Sequence, residues 1–215
     1  MLRPTVKKAG KIHGFSLVEM LIVVGIVVIL LAAAIIKIKP ILMASRADAA
    51  VAYTENQIRL ARERAIDERR LMQLTFTAPR TIFMQFQFTD STGAVTYAPV
   101  TLQAGQTGAG IVTLPNDMQF QAPPSPPATP PDNIGAQNNA FDFFCAGTAC
   151  AGTILYFNPD GSIVNVNNDP VQGVIYMGRP SDPLSSRAVS FFGPTGRVKA
   201  WRYLKPSSGT KWIQQ

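Results

Sequence analysis

The stretch KIHGFSLVEMLIVVGIVVILLAAAI, residues 11–35, decides how the rest of the chain is to be read. Residues 15–36 form an apolar run whose polar side chains are Ser16 and Glu19 alone, and Lys37 closes it. A run of this length is enough to cross a bilayer as a helix. Arg3, Lys7, Lys8 and Lys11 stand ahead of it, so a basic segment precedes an apolar one. A cleaved secretory signal has the same order, and Ala32, Ala33 and Ala34 offer it a small-residue cleavage site. Three features count against that alternative: the run exceeds a usual signal core, a carboxylate sits near its start, and the charged sequence beyond it continues in helical style. Glu19 is the informative position. An ionisable group inside a membrane segment costs roughly 2.5–3.5 kcal/mol and calls for a partner or a function.

The same basic segment explains much of the net charge. The formal charge of +7 becomes +3 once Arg3, Lys7, Lys8 and Lys11 are set aside, so whole-chain basicity is weak evidence for a nucleic-acid partner. A length of 215 residues and a hydrophobic content of 47% exclude wholesale disorder and suit one domain, or one domain with an extended element.

Beyond the apolar run, Ala47, Val51, Thr54, Ile58, Ala61 and Ala65 recur at alternating steps of four and three, which predicts one narrow buried stripe on a helix. The other faces carry Arg46, Asp48, Glu55, Arg59, Arg62, Glu63 and Asp67, a charged and solvated surface with pairs at i,i+4 spacing. Pro40 is expected to kink or locally break the helix, which otherwise runs over residues 15–70 for roughly 80 Å at 1.5 Å per residue. Residues 15–37 are thus a membrane-spanning helix, and residues 38–70 its amphipathic continuation.

After Arg70 the pattern changes to short runs rich in β-branched and aromatic residues. Strands are expected over 71–77, 81–89, 94–102, 110–114 and 118–122, then over 153–158, 163–166, 173–177, 188–192 and 197–204. Turn chemistry separates them at 90–93, at Pro159-Asp160-Gly161 and at Gly193-Pro194-Thr195-Gly196. Alternation puts Ile82, Met84, Phe86 and Phe88 on one sheet face, against the helix stripe. The segment PPSPPATPP begins a polar insertion over residues 123–139, expected as a polyproline-like surface loop at the exposed end of the head. The fold class is therefore α+β: a long N-terminal helix packed on an antiparallel β-sheet head, residues 71–215.

Catalytic and metal chemistry find little to work with. The one histidine, His13, lies in the basic segment, so a conventional Ser-His-Asp or Cys-His site is excluded from the chain beyond it. Cys145 and Cys150 lack nearby partners for a metal, and the glycines of 105–110 lack the strand-to-helix context and the basic residue of a phosphate loop. No cofactor and no enzymatic activity are expected.

The stretch quoted above resembles the N-terminal signature of type IV prepilins and type II secretion pseudopilins nearly residue for residue over 14–35. The resemblance implies a basic leader, residues 1–14, cut by a prepilin peptidase between Gly14 and Phe15, with N-methylation of the new Phe15 amine. The mature chain then keeps its helix in the bacterial inner membrane as a single-pass protein with a periplasmic head, and is incorporated into a pilus or pseudopilus by an assembly platform. Two costly charges become one tolerable pair when Glu19 of one subunit meets the Phe15 ammonium of the next. Partners are the peptidase, that platform and other pilins or pseudopilins. In an oxidising periplasm Cys145 and Cys150 are read as a disulfide, which closes a small loop and contributes about 2 kcal/mol.

A second resemblance is independent of the first. ILYFNPDGSIV, residues 154–164, and RAVSFFGPTGRVKAWRY, residues 187–203, look like the C-terminal half of the GspH/FimT family of minor pilins and pseudopilins. Some members of that family bind DNA during natural transformation through a G-R-x-R motif. Gly196, Arg197 and Lys199 occupy the motif here with Lys in place of the second Arg, which keeps the charge and loses the planar fork. Arg197, Lys199 and Arg202 are the candidate DNA contacts, with Trp201, Tyr203 and Trp212 interleaved for stacking on bases. The plain alternative sends Val198, Ala200 and Tyr203 inward, leaves Arg197, Lys199 and Arg202 in water and lays Trp201 over the sheet edge. This structural reading is favoured over DNA binding.

Overall fold

The computed structural model describes residues 16–89, 91–100, 110–150, 152–180, 182–205, 209 and 211–215, with side chains at 33–39 left aside. The basic segment, Gly14 and Phe15 lie outside these residues, and so does the expected strand's end at 101–102. Helix α1, Leu17–Glu68, contains Pro40 and is helical through it, so the expected local break does not occur. A proline removes one i to i−4 bond, and the turns on either side carry the helix past it. The chain divides into two compact units, Met1–Leu42 and Met43–Gln215, each described by itself.

In the first unit the described side chains from Leu17 to Ala32 are all exposed, among them Leu17, Val18, Leu21, Val24 and Leu30. Among the described residues no helix is long and apolar enough to cross a membrane.

The second unit is the head. Its strands are β1 (Met72–Thr77), β2 (Thr81–Thr89), β3 (Val95–Pro99), β4 (Ile111–Thr113), β5 (Gln119–Phe120), β6 (Phe141–Cys145), β7 (Thr148–Cys150), β8 (Ile154–Phe157), β9 (Ile163–Val164), β10 (Val171–Arg179), β11 (Asp182–Phe192), β12 (Arg197–Leu204) and β13 (Lys211–Gln214). They form two antiparallel sheets. The first has the order β3-β2-β1-β8-β9 with β4 beside β2, and the second β13-β12-β11-β10-β6-β7 with β5 beside β10. The strand β2 fills its outer edge in two pieces: residues 85–89 pair with β3 and residues 81–83 with β4. Strands β6, β7 and β13 were not expected from the sequence, and nor was the division into two sheets.

One core joins the helix to both sheets. Ala47, Val51, Thr54, Ile58, Ala61 and Ala65 are buried as the spacing predicts, and Ala50 joins them. Thr54 is the polar member of the stripe, and its hydroxyl donates to the Ala50 carbonyl at 3.0 Å. That local bond satisfies a hydroxyl that water cannot reach. From the first sheet come Met72, Leu74, Phe76, Ile82 and Met84, and from the second Phe143, Ile175, Val189, Phe191, Val198 and Ala200. The apolar face of β2 runs off the core: Ile82 and Met84 are buried, Phe86 is half-buried and Phe88 is exposed.

Two turns dock on the helix through one side chain. Arg62 donates from Nε to the carbonyl of Gly161 at 3.0 Å, and an added Cβ at Gly196 would lie 2.2 Å from that same Nε. At Gly193 a Cβ would stand 2.1 Å from the carbonyl oxygen of Val171 and 2.4 Å from that of Ile163. Gly193 also accepts a hydrogen bond at 2.9 Å from the Ile163 amide, so the turn after β11 wedges directly against β9 and β10. Only hydrogen fits there.

The insertion over residues 123–139 is not a loop at the exposed end of the head. It straps the face of the second sheet that looks away from α1, burying Pro123, Pro127, Pro131 and Gln137. Beneath it lies a second cluster of Val174, Tyr176, Ala188, Tyr203 and Trp212, with Ile134 and Trp201 at its margin. Tyr203 therefore does not face inward with Val198 and Ala200. Strand alternation sends it to the opposite side, where its hydroxyl donates to the Ser125 carbonyl at 2.7 Å.

Candidate assembly segment and basic strand

Glu19 stands in the first turn of α1, where the free N–H groups of a helix favour a carboxylate. Its neighbours Leu17, Val18, Met20, Leu21, Ile22 and Val23 are exposed on all sides. A helix that is hydrophobic all round needs lipid or other helices about it. Among the described residues Glu19 has no ion-pair partner. The expected cleavage and methylation residues, Gly14 and Phe15, lie outside the described residues.

In the head, Cys145 and Cys150 are joined in a disulfide. The hairpin of β6 and β7 turns on Ala146 and Gly147, at φ 49° and 85°, the paired left-handed residues of a two-residue hairpin loop. Cys145 faces Thr148 and Cys150 faces Phe143 across the ladder, so the bridge clips a strand pair at the sheet edge.

The three basic candidates of β12 do not share a face. Strand β12 pairs with β11 without a register shift, from Arg187 opposite Arg202 to Phe192 opposite Arg197. Arg197 and Lys199 therefore point to one side and Arg202 to the other. Arg197 is exposed with its guanidinium 6.0 Å from the Phe192 ring centre. Lys199 donates to an oxygen of Asp132 at 2.6 Å and lies 5.5 Å from the centre of the Trp201 ring. Arg202, expected in water, is half-buried, and its Nε is sealed without a hydrogen-bond partner. Burial follows from its place beside Val198 and Ala200 on the helix-facing side.

Two polar centres were missed by sequence reasoning. Arg187 is 1% exposed and donates from Nε to Asp48 on α1 at 2.8 Å, and from Nη1 to the carbonyls of Leu184 and Ser186. Burial pushes the Arg187 guanidinium down from its usual value, against the Asp48 bond and charge, which pull it up. For Asp48, burial raises the carboxyl, but the Arg187 hydrogen bond and charge outweigh it and hold it below the ordinary carboxylate range. The available signal was Arg187 opening RAVSFF, a run in which Ser190 is the other polar residue.

The other centre is Asp132. Lys199 bonds one of its oxygens and the Ser190 hydroxyl donates to the other, at 2.6 Å each. Burial raises the Asp132 carboxyl, and these two hydrogen bonds with the Lys199 charge bring it below its usual value. Trp201 in turn donates from Nε1 to the Ser190 hydroxyl at 2.8 Å. Gln137 completes the strap, donating to the Pro127 carbonyl at 2.7 Å and accepting from Trp212 Nε1 at 2.7 Å, while its amide donates to Asp142. No periodicity announces these residues, because their partners lie far along the chain.

Comparison with known proteins adds one family and two structures. Residues 10–35 match the prokaryotic N-terminal methylation motif. No curated protein matches the chain. A crystal structure of the minor pseudopilin EpsH from the type II secretion system of Vibrio cholerae is similar at 11% identity and a TM-score of 0.43, covering 73% of this chain and 93% of that one. A second structure of the minor pseudopilin EpsH from Vibrio cholerae gives 10% identity and a TM-score of 0.39, covering 79% and 97%. The matched residues take in Gly14, Phe15, Glu19 and the apolar run together, so the chain carries this methylation motif at its N-terminal end.

Proposed function

We propose that this chain is a minor pilin or pseudopilin: a structural subunit, not a catalyst, that is cut by a prepilin peptidase after Gly14 and assembled through its N-terminal helix. The carrying observation is the motif over residues 10–35, with Glu19 in the first turn of a helix whose described apolar side chains are open all round. In this reading the helix sits in the inner membrane until assembly, with the head in the periplasm. Glu19 then neutralises the Phe15 ammonium of a neighbouring subunit as helices come together, which removes the cost of two separate charges in a low-dielectric setting. Of the two contexts, type IV pilus and type II secretion pseudopilus, the resemblance of residues 154–164 and 187–203 to GspH/FimT proteins supports a low-copy place in either.

The DNA-binding alternative draws on Arg197, Lys199 and Arg202. With these divided between two faces and Lys199 already bonded to Asp132, the subunit reading is preferred.

Intact-mass and N-terminal analysis of membrane-extracted protein, expressed with and without a prepilin peptidase, tests the proposal. A chain beginning at Phe15 only when the peptidase is present is the expected result. Cleavage near Ala34 in both preparations would mean a secreted protein without an anchor and would overturn it.

A further inference from the structure

A cavity of about 360 Å³ opens between the strap and the outer face of the second sheet. Its walls include Trp201, Trp212, Thr129, Pro130, Asp132 and Asn133. The volume lies in the range of small-ligand sites, where apolar walls carry a few placed polar groups.

What the walls offer narrows the ligand. Both indole N–H groups are already spent, Trp201's on Ser190 and Trp212's on Gln137, so the indoles have no N–H left to donate to a ligand. Those bonds also lock both ring planes in advance, which lowers the ordering cost of binding. Asp132 is held by Lys199 and Ser190 yet keeps a second lone pair on each oxygen, and Asn133 and Thr129 add donors and acceptors at the rim. The backbone there is held in an unusual state: Asp132 and Asn133 both lie in the left-handed region, at φ 50° and 57°. Residues kept in such conformations concentrate at ligand clamps. Among the lining residues Lys211 is the cation, Lys199 beside the cavity is paired with Asp132, and Arg197 stands on the same sheet face without lining it. A polyanion therefore finds little to hold it, whereas a neutral molecule with one C–H face and a rim of hydroxyls finds both of its needs met.

We propose that this cavity is a glycan site that takes a pyranose unit of an oligosaccharide, stacked on Trp201 and hydrogen-bonded by Asp132 and Asn133. The proposal goes beyond subunit assembly and stands whether or not the peptidase experiment succeeds.

Trp201 and Trp212 are the two tryptophans of the chain, so intrinsic fluorescence reports on this cavity directly. The full chain, held in a detergent without a sugar headgroup, is titrated with three neutral trisaccharides, triacetylchitotriose, maltotriose and cellotriose. The parallel probes are a thymidylate decamer and a peptide of the strap's own sequence, PPSPPATPP. At least one trisaccharide is expected to give a saturating emission change, weakened roughly tenfold or more by Asn133→Ala and by Trp201→Ala, the remaining indole serving as reporter. Unfolding midpoints of the variants show that they are folded, and Asn133→Ala carries the test if Trp201→Ala does not fold. No response to any of the three sugars up to about 10 mM overturns the proposal. So does sugar binding that Asn133→Ala leaves unchanged, or a response confined to the decamer or to the peptide.

Discussion

A guanidinium sealed from water needs partners for its N–H groups, and Arg187 finds them in Asp48, Leu184 and Ser186. Asp48 supplies the only charge among these three, and its side chain is 42% exposed, so its own desolvation is modest. Removing it leaves the buried cation with carbonyl bonds alone. Asp48→Ala is expected to lower stability by about 1–3 kcal/mol in urea denaturation, because a buried donor loses its partner. Adding Arg187→Met removes the stranded charge and should recover part of that loss. A double variant no more stable than Asp48→Ala would show that the pair is not the source of the effect. Asp132 makes a related prediction about acid. Its carboxyl is lowered in the folded head, so its contribution is complete above the unfolded value of about 3.9 and fades as pH falls through the lower folded value. Thermal midpoints should drop below about pH 4, and Asp132→Asn, already weaker at neutral pH, should show a smaller acid-induced drop. Equal drops in both proteins would place the acid sensitivity elsewhere, Asp48 being the next group to test.

At the scale of elements, what could be read in advance follows from the range of the forces involved. The stripe from Ala47 to Ala65 was legible because a helix repeats its buried face every three or four residues. Strands β2 and β12 matched their expected bounds because alternation and flanking turns are local signals. Strand alternation does not say which sheet a strand joins, so the division into two sheets was not legible. Alternation already set Tyr203 opposite Val198 and Ala200, but it could not show that this opposite side is buried as well, beneath the strap. The strap was misjudged for the same reason: proline excludes helix and central strand but is silent about a sheet face waiting beneath. The disulfide was legible in the sequence, whereas Asp132 was not, since its bonds to Ser190 and Lys199 span 58 and 67 positions. Turns give a sharper test of element packing. Gly193→Ala drives a methyl group into the backbone of β9 and β10 and is expected to cost about 3 kcal/mol. Gly93, at φ 84° with open space around it, pays only for its backbone conformation, about 1–2 kcal/mol on substitution by Ala. Chemical denaturation of the two variants should rank them in that order, and the reverse order would mean that the turn after β11 can move aside.

On the scale of the whole molecule, every buried residue of both apolar clusters lies between Ala47 and Trp212, all inside the unit Met43–Gln215. Among the described residues the first unit supplies none of them, and its described apolar side chains are exposed. Burial of apolar surface is the main favourable term in folding, so the head holds its own stability, whereas the exposed residues from Leu17 to Ala32 await a different environment. A fragment of residues 43–215 should therefore be soluble without detergent and unfold in one cooperative transition. Its midpoint should lie close to that of the head in the full chain, with the Cys145–Cys150 bridge formed. Reduction of that bridge should lower the fragment's stability by about 2 kcal/mol while leaving it folded, because the loop it closes is short. A fragment that binds hydrophobic dyes and melts without cooperativity would show that residues before Met43 are needed for the fold. A cooperative fragment would show that the residues before Met43 are not needed for the fold of the head.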